Sequence, residues 1–182
     1  MVIARFRINA LITTLATMQI VRGLALIASD GRAVGINDPA FYQLALSKFL
    51  TIPTPIWVMA ILFLVFGFVL NRTVFGKKTL AIGGNPEASR LAGVNVVNMR
   101  IWIFALQGLV CGIAGILLAS RITSGQPNAA TGLELSVISA CVLGGVSLAG
   151  GRAAMSGVIV GVLIMGIAEN VMNLLNIQAF YQ

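Results

Sequence analysis

Residues 55–71 read PIWVMAILFLVFGFVLN, with no charge and a single polar residue, Asn71, at the far end. Coiled as an α-helix at ~1.5 Å per residue, such a run reaches about 25 Å, close to the hydrocarbon thickness of a bilayer. It is apolar all round, so no face is reserved for water. Pro55 suits the first helical position, where its missing N–H costs nothing. Trp57 is placed where an indole anchors at the membrane interface. The stretch is read as a transmembrane helix, and the rest of the chain is read against it.

Composition agrees. The 182 residues are 58% hydrophobic and 9% charged, with a mean hydropathy of +0.98, where a soluble domain carries about 25% charged residues. The net charge is +7, but the basic residues are thinly spread in loops, without the basic stripe and interleaved aromatics of a nucleic-acid surface. They read instead as topology signals, because Lys and Arg collect on the cytoplasmic side of membrane spans. Cys111 and Cys141 both sit in apolar runs and read as small buried hydrophobes. Histidine is absent, which removes His-based catalysis and His metal ligation.

Outward from 55–71, the next segment is the loop 72–100. It holds Arg72, Lys77, Lys78, Arg90 and Arg100 against Glu87, the largest positive excess of any loop, and is assigned to the cytoplasm. That choice puts the loop 29–54 outside and Arg5 and Arg7 inside. Residues 8–28 form a first span interrupted by Gln19 and Arg22, so one of its faces is expected to look into protein or a cavity. The Gly, Pro and Asn content of 29–54 argues for irregular structure. The N-terminus MVIARFRINALITTLATM has no clear A-x-A cleavage site and reads as a cytoplasmic end entering a span.

Residues 101–120 return outward, with Gly108 and Gly112 in G-x-x-x-G spacing that favours close helix packing. A polar loop, 121–134, follows outside. Residues 135–149 are apolar but short and run into GGVSLAGG at 144–151, the pattern of a broken helix whose backbone is buried in protein. Residues 153–175 are the last span, with Gly157 and Gly161 again four apart. Gly144 and Gly145 are counted with them as packing positions. The fold expected is all-α: a polytopic membrane helix bundle of about five spans, one of them short or broken, forming one transmembrane domain over 1–182.

Within the loop 72–100, AIGGNPEASRLAGVNV (81–96) spells a short capped helix. Asn85 is an N-cap, Pro86 follows at the first helical position, and Glu87 and Arg90 match the two ends of the helix dipole. Gly93 can take the left-handed conformation that ends a helix. The helix is predicted over 86–92, about two turns, too few to stand alone in water. Ala88, Leu91 and Ala92 share one face, an apolar pad that fits either a partner's cleft or the protein's own surface.

GGNPEASRLAGVNV (83–96), TLATMQIVRGLA (14–25) and ELSVISACVLGGVSLAGG (134–151) together resemble bacterial ABC sugar-importer permeases of the ribose/xylose/arabinose/galactose type. The resemblance runs nearly the whole length of the chain. It implies a multi-pass subunit of the bacterial inner membrane that works as a homodimer, with a cytoplasmic ABC ATPase and a periplasmic sugar-binding protein. ATP and Mg would be bound by the ATPase, leaving no cofactor in this chain. The substrate implied is a monosaccharide, L-arabinose or a related pentose. By resemblance the segment Gly84, Asn85, Pro86, Glu87, Ala88, Arg90, Leu91, Ala92 and Gly93 is the coupling element that seats in the ATPase. Family members are longer, with about ten spans, so the chain is expected to be a partial transmembrane domain, either a fragment or a truncated gene product.

No other chemistry stands out. NRTVFGKKT (71–79) lacks the first glycine of a phosphate-binding loop and has Lys78 where Ser or Thr is required. Five scattered acids and no histidine make no catalytic set and no metal site, so the chain is not expected to be an enzyme by itself. A neutral sugar needs hydroxyl and amide partners that bind weakly enough to let go. Gln19, Gln107, Ser136, Ser139, Ser147 and Asn170 are such residues, each equally readable as interhelical glue. Glu169 reads as structural, near an interface or beside a partner. The competing functional readings are an ion-coupled carrier or channel and a non-transporting membrane scaffold.

Overall fold

The computed structural model describes residues 10–175. Arg5, Arg7, the first two residues of the expected 8–28 span and the tail NIQAFYQ lie outside the described residues. Eight helices lie within them: α1 (Ala10–Ala28), α2 (Pro39–Leu46), α3 (Thr54–Arg72), α4 (Val74–Gly84), α5 (Pro86–Leu91), α6 (Val96–Ile122), α7 (Leu133–Leu143) and α8 (Met155–Leu174). Three of them, α3, α6 and α8, are long and apolar enough to cross a membrane, while α1 and α7 offer shorter apolar stretches. Almost nothing of the three long windows is covered by the chain itself, 0%, 0% and 6% respectively. Side chains such as Leu64 (75% exposed) and Ile167 (64%) therefore need lipid or further protein around them.

The architecture is mostly helical rather than strictly all-α. Four two-residue strands occur, β1 (Val34–Gly35), β2 (Lys48–Phe49), β3 (Ile52–Pro53) and β4 (Ser124–Gly125), pairing antiparallel as β1 with β4 and β2 with β3. The expectation of irregular structure over 29–54 is corrected by them and by α2. Asp38 accepts a hydrogen bond from the Ala40 N–H at 2.9 Å and Pro39 occupies the first turn, an N-cap and N1 pair that starts a helix despite the turn-rich composition around it.

Contacts divide the chain into two units, residues 1–68 with 94–129 and residues 69–93 with 130–182. In the first, α2 lies on α6, and Ser120 of α6 is fully buried beneath it. The Ser120 hydroxyl accepts from the Ala45 N–H at 3.0 Å and donates to the Phe41 carbonyl at 2.7 Å. Trp57 donates its indole N–H to the Phe49 carbonyl at 3.1 Å and meets the Phe49 ring edge-on, with centroids 6.0 Å apart.

In the second unit α7 packs on α8 through glycine. A Cβ at Gly144 would lie 2.5 Å from the Gly157 carbonyl oxygen, and one at Gly161 would strike the Ala140 carbonyl. The helices therefore touch backbone to backbone, as small residues permit. At Gly145, φ is +81° and a Cβ would meet nothing, so this glycine serves the turn after α7 rather than packing. Gly108 and Gly112 of α6 likewise face no neighbour among the described residues. α7 is only 11 residues, about 16 Å. The chain stops being helical at Leu143 because Gly144–Gly151 turns back on itself: the Ser147 N–H donates to the Arg152 carbonyl at 3.1 Å and the Gly150 N–H to the Ser147 carbonyl at 3.0 Å.

Candidate functional site

The segment 72–95 is a relay of short capped helices. Thr73 caps α4, its hydroxyl accepting from the Gly76 N–H at 3.2 Å. Gly76 fits where the chain turns from α3 into α4, because a Cβ there would collide with the Val69 and Leu70 carbonyls. Asn85 ends α4 and begins α5: its N–H donates to the Ala81 carbonyl at 3.0 Å, and its side-chain oxygen accepts from the Ala88 N–H at 3.0 Å. One residue thus serves two helices, which ties their directions together. Pro86 follows at N1, Glu87 lies in the first turn and Arg90 in the last. α5 ends one residue earlier than the expected 86–92, with Ala92 as its C-cap and Gly93 at φ +82°. Asn95 then caps α6 by accepting from the Asn98 N–H at 3.0 Å.

Ser89 decides which side of α5 faces outward. It is 6% exposed, its hydroxyl donates to the Asn85 carbonyl at 2.9 Å, and it marks the covered side of the helix. At ~100° per residue, Glu87 and Leu91 stand on the opposite side, with Ala88 and Arg90 flanking them. Leu91 is 87% exposed, more than any other large hydrophobic residue described. Ala88, Ala92, Glu87, Arg90 and Gly84 are exposed as well. The crest of α5 is therefore one leucine between an acid and a base.

The other residues singled out from the sequence are divided between the two units. Gln19 and Gln107 are exposed and belong to the first unit. Ser136, Ser139, Ser147 and Asn170 belong to the second. There the register of Ala140 against Gly161 and Gly144 against Gly157 sets Ser136 about level with Met165, and Asn170 beyond the first residue of α7. Ser139 and Asn170 are exposed, Ser136 and Ser147 half-buried. Among the described residues no group of His, Cys, Asp and Glu could hold a metal ion.

Two features of this region escaped the sequence reading. Ser89 is the buried residue of a helix whose packing face is read from the sequence as Ala88, Leu91 and Ala92. The dipeptides Gly83–Gly84 and Gly150–Gly151 meet each other: a Cβ at Gly83 would lie 2.6 Å from the Gly151 nitrogen, and one at Gly151 2.8 Å from the Gly84 Cα. The repeated pair of adjacent glycines was the available signal, since isolated glycine at a helix end or loop marks close backbone approach.

Comparison with known proteins adds the following. A family model described as "Branched-chain amino acid transport system / permease component" matches residues 1–181. The L-arabinose transport system permease protein of Escherichia coli (strain K12) is 62% identical over 181 residues, which is 100% of this chain and 55% of that protein. The L-arabinose ABC transporter permease protein of Azospirillum brasilense is 58% identical over 180 residues, 99% of this chain and 53% of that one. The ribose import permease protein of Bacillus subtilis (strain 168) is 40% identical over 185 residues, 100% and 57% of the two chains. The chain thus spans about half the length of the curated relatives it matches. No solved structure matches.

Proposed function

The chain belongs to the family of branched-chain amino acid transport system permease components and is a multi-pass inner-membrane protein; from that premise we propose that it is the membrane-spanning part of an ATP-driven importer of a monosaccharide, L-arabinose or a related pentose. The ATPase is a separate chain, seated on α5. The observation that carries this reading is Leu91, 87% exposed on a two-turn helix fixed at both ends. A large apolar side chain held outward on a rigid, dipole-matched support is what a partner's cleft takes as an anchor. The sugar rests on the names of the two relatives at 62% and 58% identity.

Sidedness supports the same reading. The strand pair β1–β4 joins the loops 29–54 and 121–134, while the glycine dipeptides join the loop 72–100 to the turn after α7. Both pairings agree with a chain whose successive loops alternate between the two sides of the membrane, the Arg- and Lys-rich loop being inside. The finer count, about five spans with α7 as the short one, belongs to this proposal. So does pairing with a second permease copy and delivery of sugar by a periplasmic binding protein.

The test is co-purification of the full-length permease with its ATPase after Leu91→Asp and after Arg90→Glu. Both are expected to lose the ATPase, Leu91→Asp by tenfold or more, roughly what burying an unpaired charge at an anchor costs. ATP hydrolysis by the reconstituted transporter is expected to rise with L-arabinose above the other members of a pentose and hexose panel. Retention of the ATPase by Leu91→Asp, or sugar uptake driven by a proton gradient without ATP, refutes the assignment.

A further inference from the structure

We propose that the contact between Gly83–Gly84 and Gly150–Gly151 is a rigid joint that carries movement of α5 into the α7–α8 hairpin, with Gly83 and Gly151 as its positioning residues. The proposal rests on the reading that α5 engages an ATPase, and it names the route by which the push leaves α5.

The route is traced by contacts within one unit. α5 cannot move freely of α4, because Asn85 is a hydrogen-bonded cap of both. The last turn of α4 then meets the turn after α7 with no side chain between them. A Cβ on Gly83 would sit 2.6 Å from the Gly151 nitrogen, and one on Gly150 2.5 Å from the Gly83 oxygen. That turn is stiffened by its own bonds, Ser147 to Arg152 and Gly150 to Ser147, and Gly150 and Gly151 hold φ of +89° and +78°, where other residues are strained. Beyond it, α8 lies on α7 through Gly144, Gly157 and Gly161, again backbone to backbone. Side chains at such contacts would absorb displacement by changing rotamer. Close-packed backbone passes it on.

Two glycines of the same unit supply the experiment. Gly83 lies in the last turn of α4 and Gly166 within α8, so alanine raises helix propensity at each. Yet a Cβ at Gly166 has nothing within 4 Å, whereas one at Gly83 demands a backbone shift. In the permease reconstituted with its ATPase and sugar-binding protein in proteoliposomes, Gly166→Ala is expected to keep the parent's ratio of L-arabinose taken up per ATP hydrolysed. Gly83→Ala is expected to keep the bound ATPase but to lower that ratio about fivefold or more. Equal ratios in the two variants overturn the joint. The reading of α5 is judged separately, by whether Leu91→Asp releases the ATPase.

A second measurement leaves the glycines untouched. Spin labels at Lys78→Cys and Leu148→Cys, both exposed positions, are introduced with Cys111→Ala and Cys141→Ala. A rigid joint gives the same distance between the labels with and without trapped ATP. Labels that separate on trapping overturn it, whatever Gly83→Ala does.

Discussion

The two units of this chain are held by different means. In the first, side chains bond loop to helix: Ser120 to the Ala45 N–H and the Phe41 carbonyl, Ser47 to Thr54 at 2.6 Å, and Trp57 to the Phe49 carbonyl. In the second, glycine lets backbone lie on backbone at Gly144, Gly157, Gly161, Gly83 and Gly151, with no side chain between the elements there. A hydrogen-bonded lattice fixes a loop upon a helix and ends there. Glycine contacts make helices and turns move as one body, which suits a region expected to be pushed from outside the chain. The difference also separates the weak points of each unit: the helix contacts of the second are intolerant of added volume, and the buried Ser120 cluster of the first is intolerant of a removed hydrogen-bond partner.

The largest effect expected follows from volume. Gly161→Val puts a branched side chain where even a Cβ meets the Ala140 carbonyl, with the Gly144 nitrogen at 2.8 Å. α7 and α8 must part, at a cost of ~1–3 kcal/mol or more for overpacking. Yield of folded permease from membranes and its thermal midpoint in detergent are expected to fall sharply. Gly108→Val is the counterpart in the first unit, where nothing lies within 4 Å, and within this chain it is expected to be silent. A fall as deep as that of Gly161→Val would show that the Gly108–Gly112 face is covered in the assembled transporter, and the contrast between units would then shift to the partner surface.

Next comes removal of a partner in the first unit. Ser120→Ala removes a fully buried hydroxyl that accepts from the Ala45 N–H and donates to the Phe41 carbonyl. Two buried hydrogen bonds lost together cost ~1–3 kcal/mol. The thermal midpoint is expected to drop by several degrees, with ATPase binding unaltered. If Ser120→Ala instead releases the ATPase while leaving stability unchanged, the division of labour between the units is wrong.

These two predictions bear on how much the amino-acid sequence disclosed. The cap at Asn85, proline at N1 and the left-handed Gly93 are local signals, and the structure forms a helix between them. The apolar run at 55–71 lies within one helix for the same reason: that it is long and apolar enough to cross a membrane is a matter of its own composition. Ser120 was invisible because its partners lie 75 and 79 residues away, and a serine in an apolar helix looks the same whether it caps a loop or faces nothing. The Gly83–Gly151 contact was hidden likewise, since a glycine pair states that something comes near without stating what. The helix at Pro39–Leu46 is a different case. Asp38 and Pro39 announced it, and the surrounding turn residues outweighed a valid local signal.

A smaller effect, on transport more than on stability, is expected from the caps. Asn85→Ala removes the acceptor of the Ala88 N–H, a loss of ~1 kcal/mol. Because α5 has only six residues, that loss is a large share of what fixes its direction. ATP-driven uptake is expected to fall severalfold and to be restored by Asn85→Asp, which keeps the accepting oxygen. Asn95→Ala deletes the same bond at the start of the 27-residue α6, where many other turns maintain the helix, and uptake is expected to stay at the parent level. Equal losses in both would mean that the caps act on general stability and that the second unit has no special sensitivity.

The smallest effect tests the first unit's lattice at its edge. Trp57 reads from the sequence as an interface anchor; in the structure its indole also holds the β2–β3 hairpin through the Phe49 carbonyl. Trp57→Phe deletes that hydrogen bond and retains a ring to meet Phe49. The bond lies in an exposed setting, where water replaces a lost partner, so the cost belongs at the low end of the usual range, about 0.5 kcal/mol. Trp57→Ala also deletes the edge-to-face contact and is expected to cost roughly 1 kcal/mol more. Thermal midpoints of the two variants beside Ser120→Ala give the order Trp57→Phe, then Trp57→Ala, with Ser120→Ala the most damaging. The gap between Trp57→Phe and Ser120→Ala follows from burial, because the same kind of bond gains weight only where water cannot take its place. If Trp57→Phe proves as damaging as Ser120→Ala, the hairpin and not the buried serine carries the first unit, and its rigidity then comes from the loop rather than from α6.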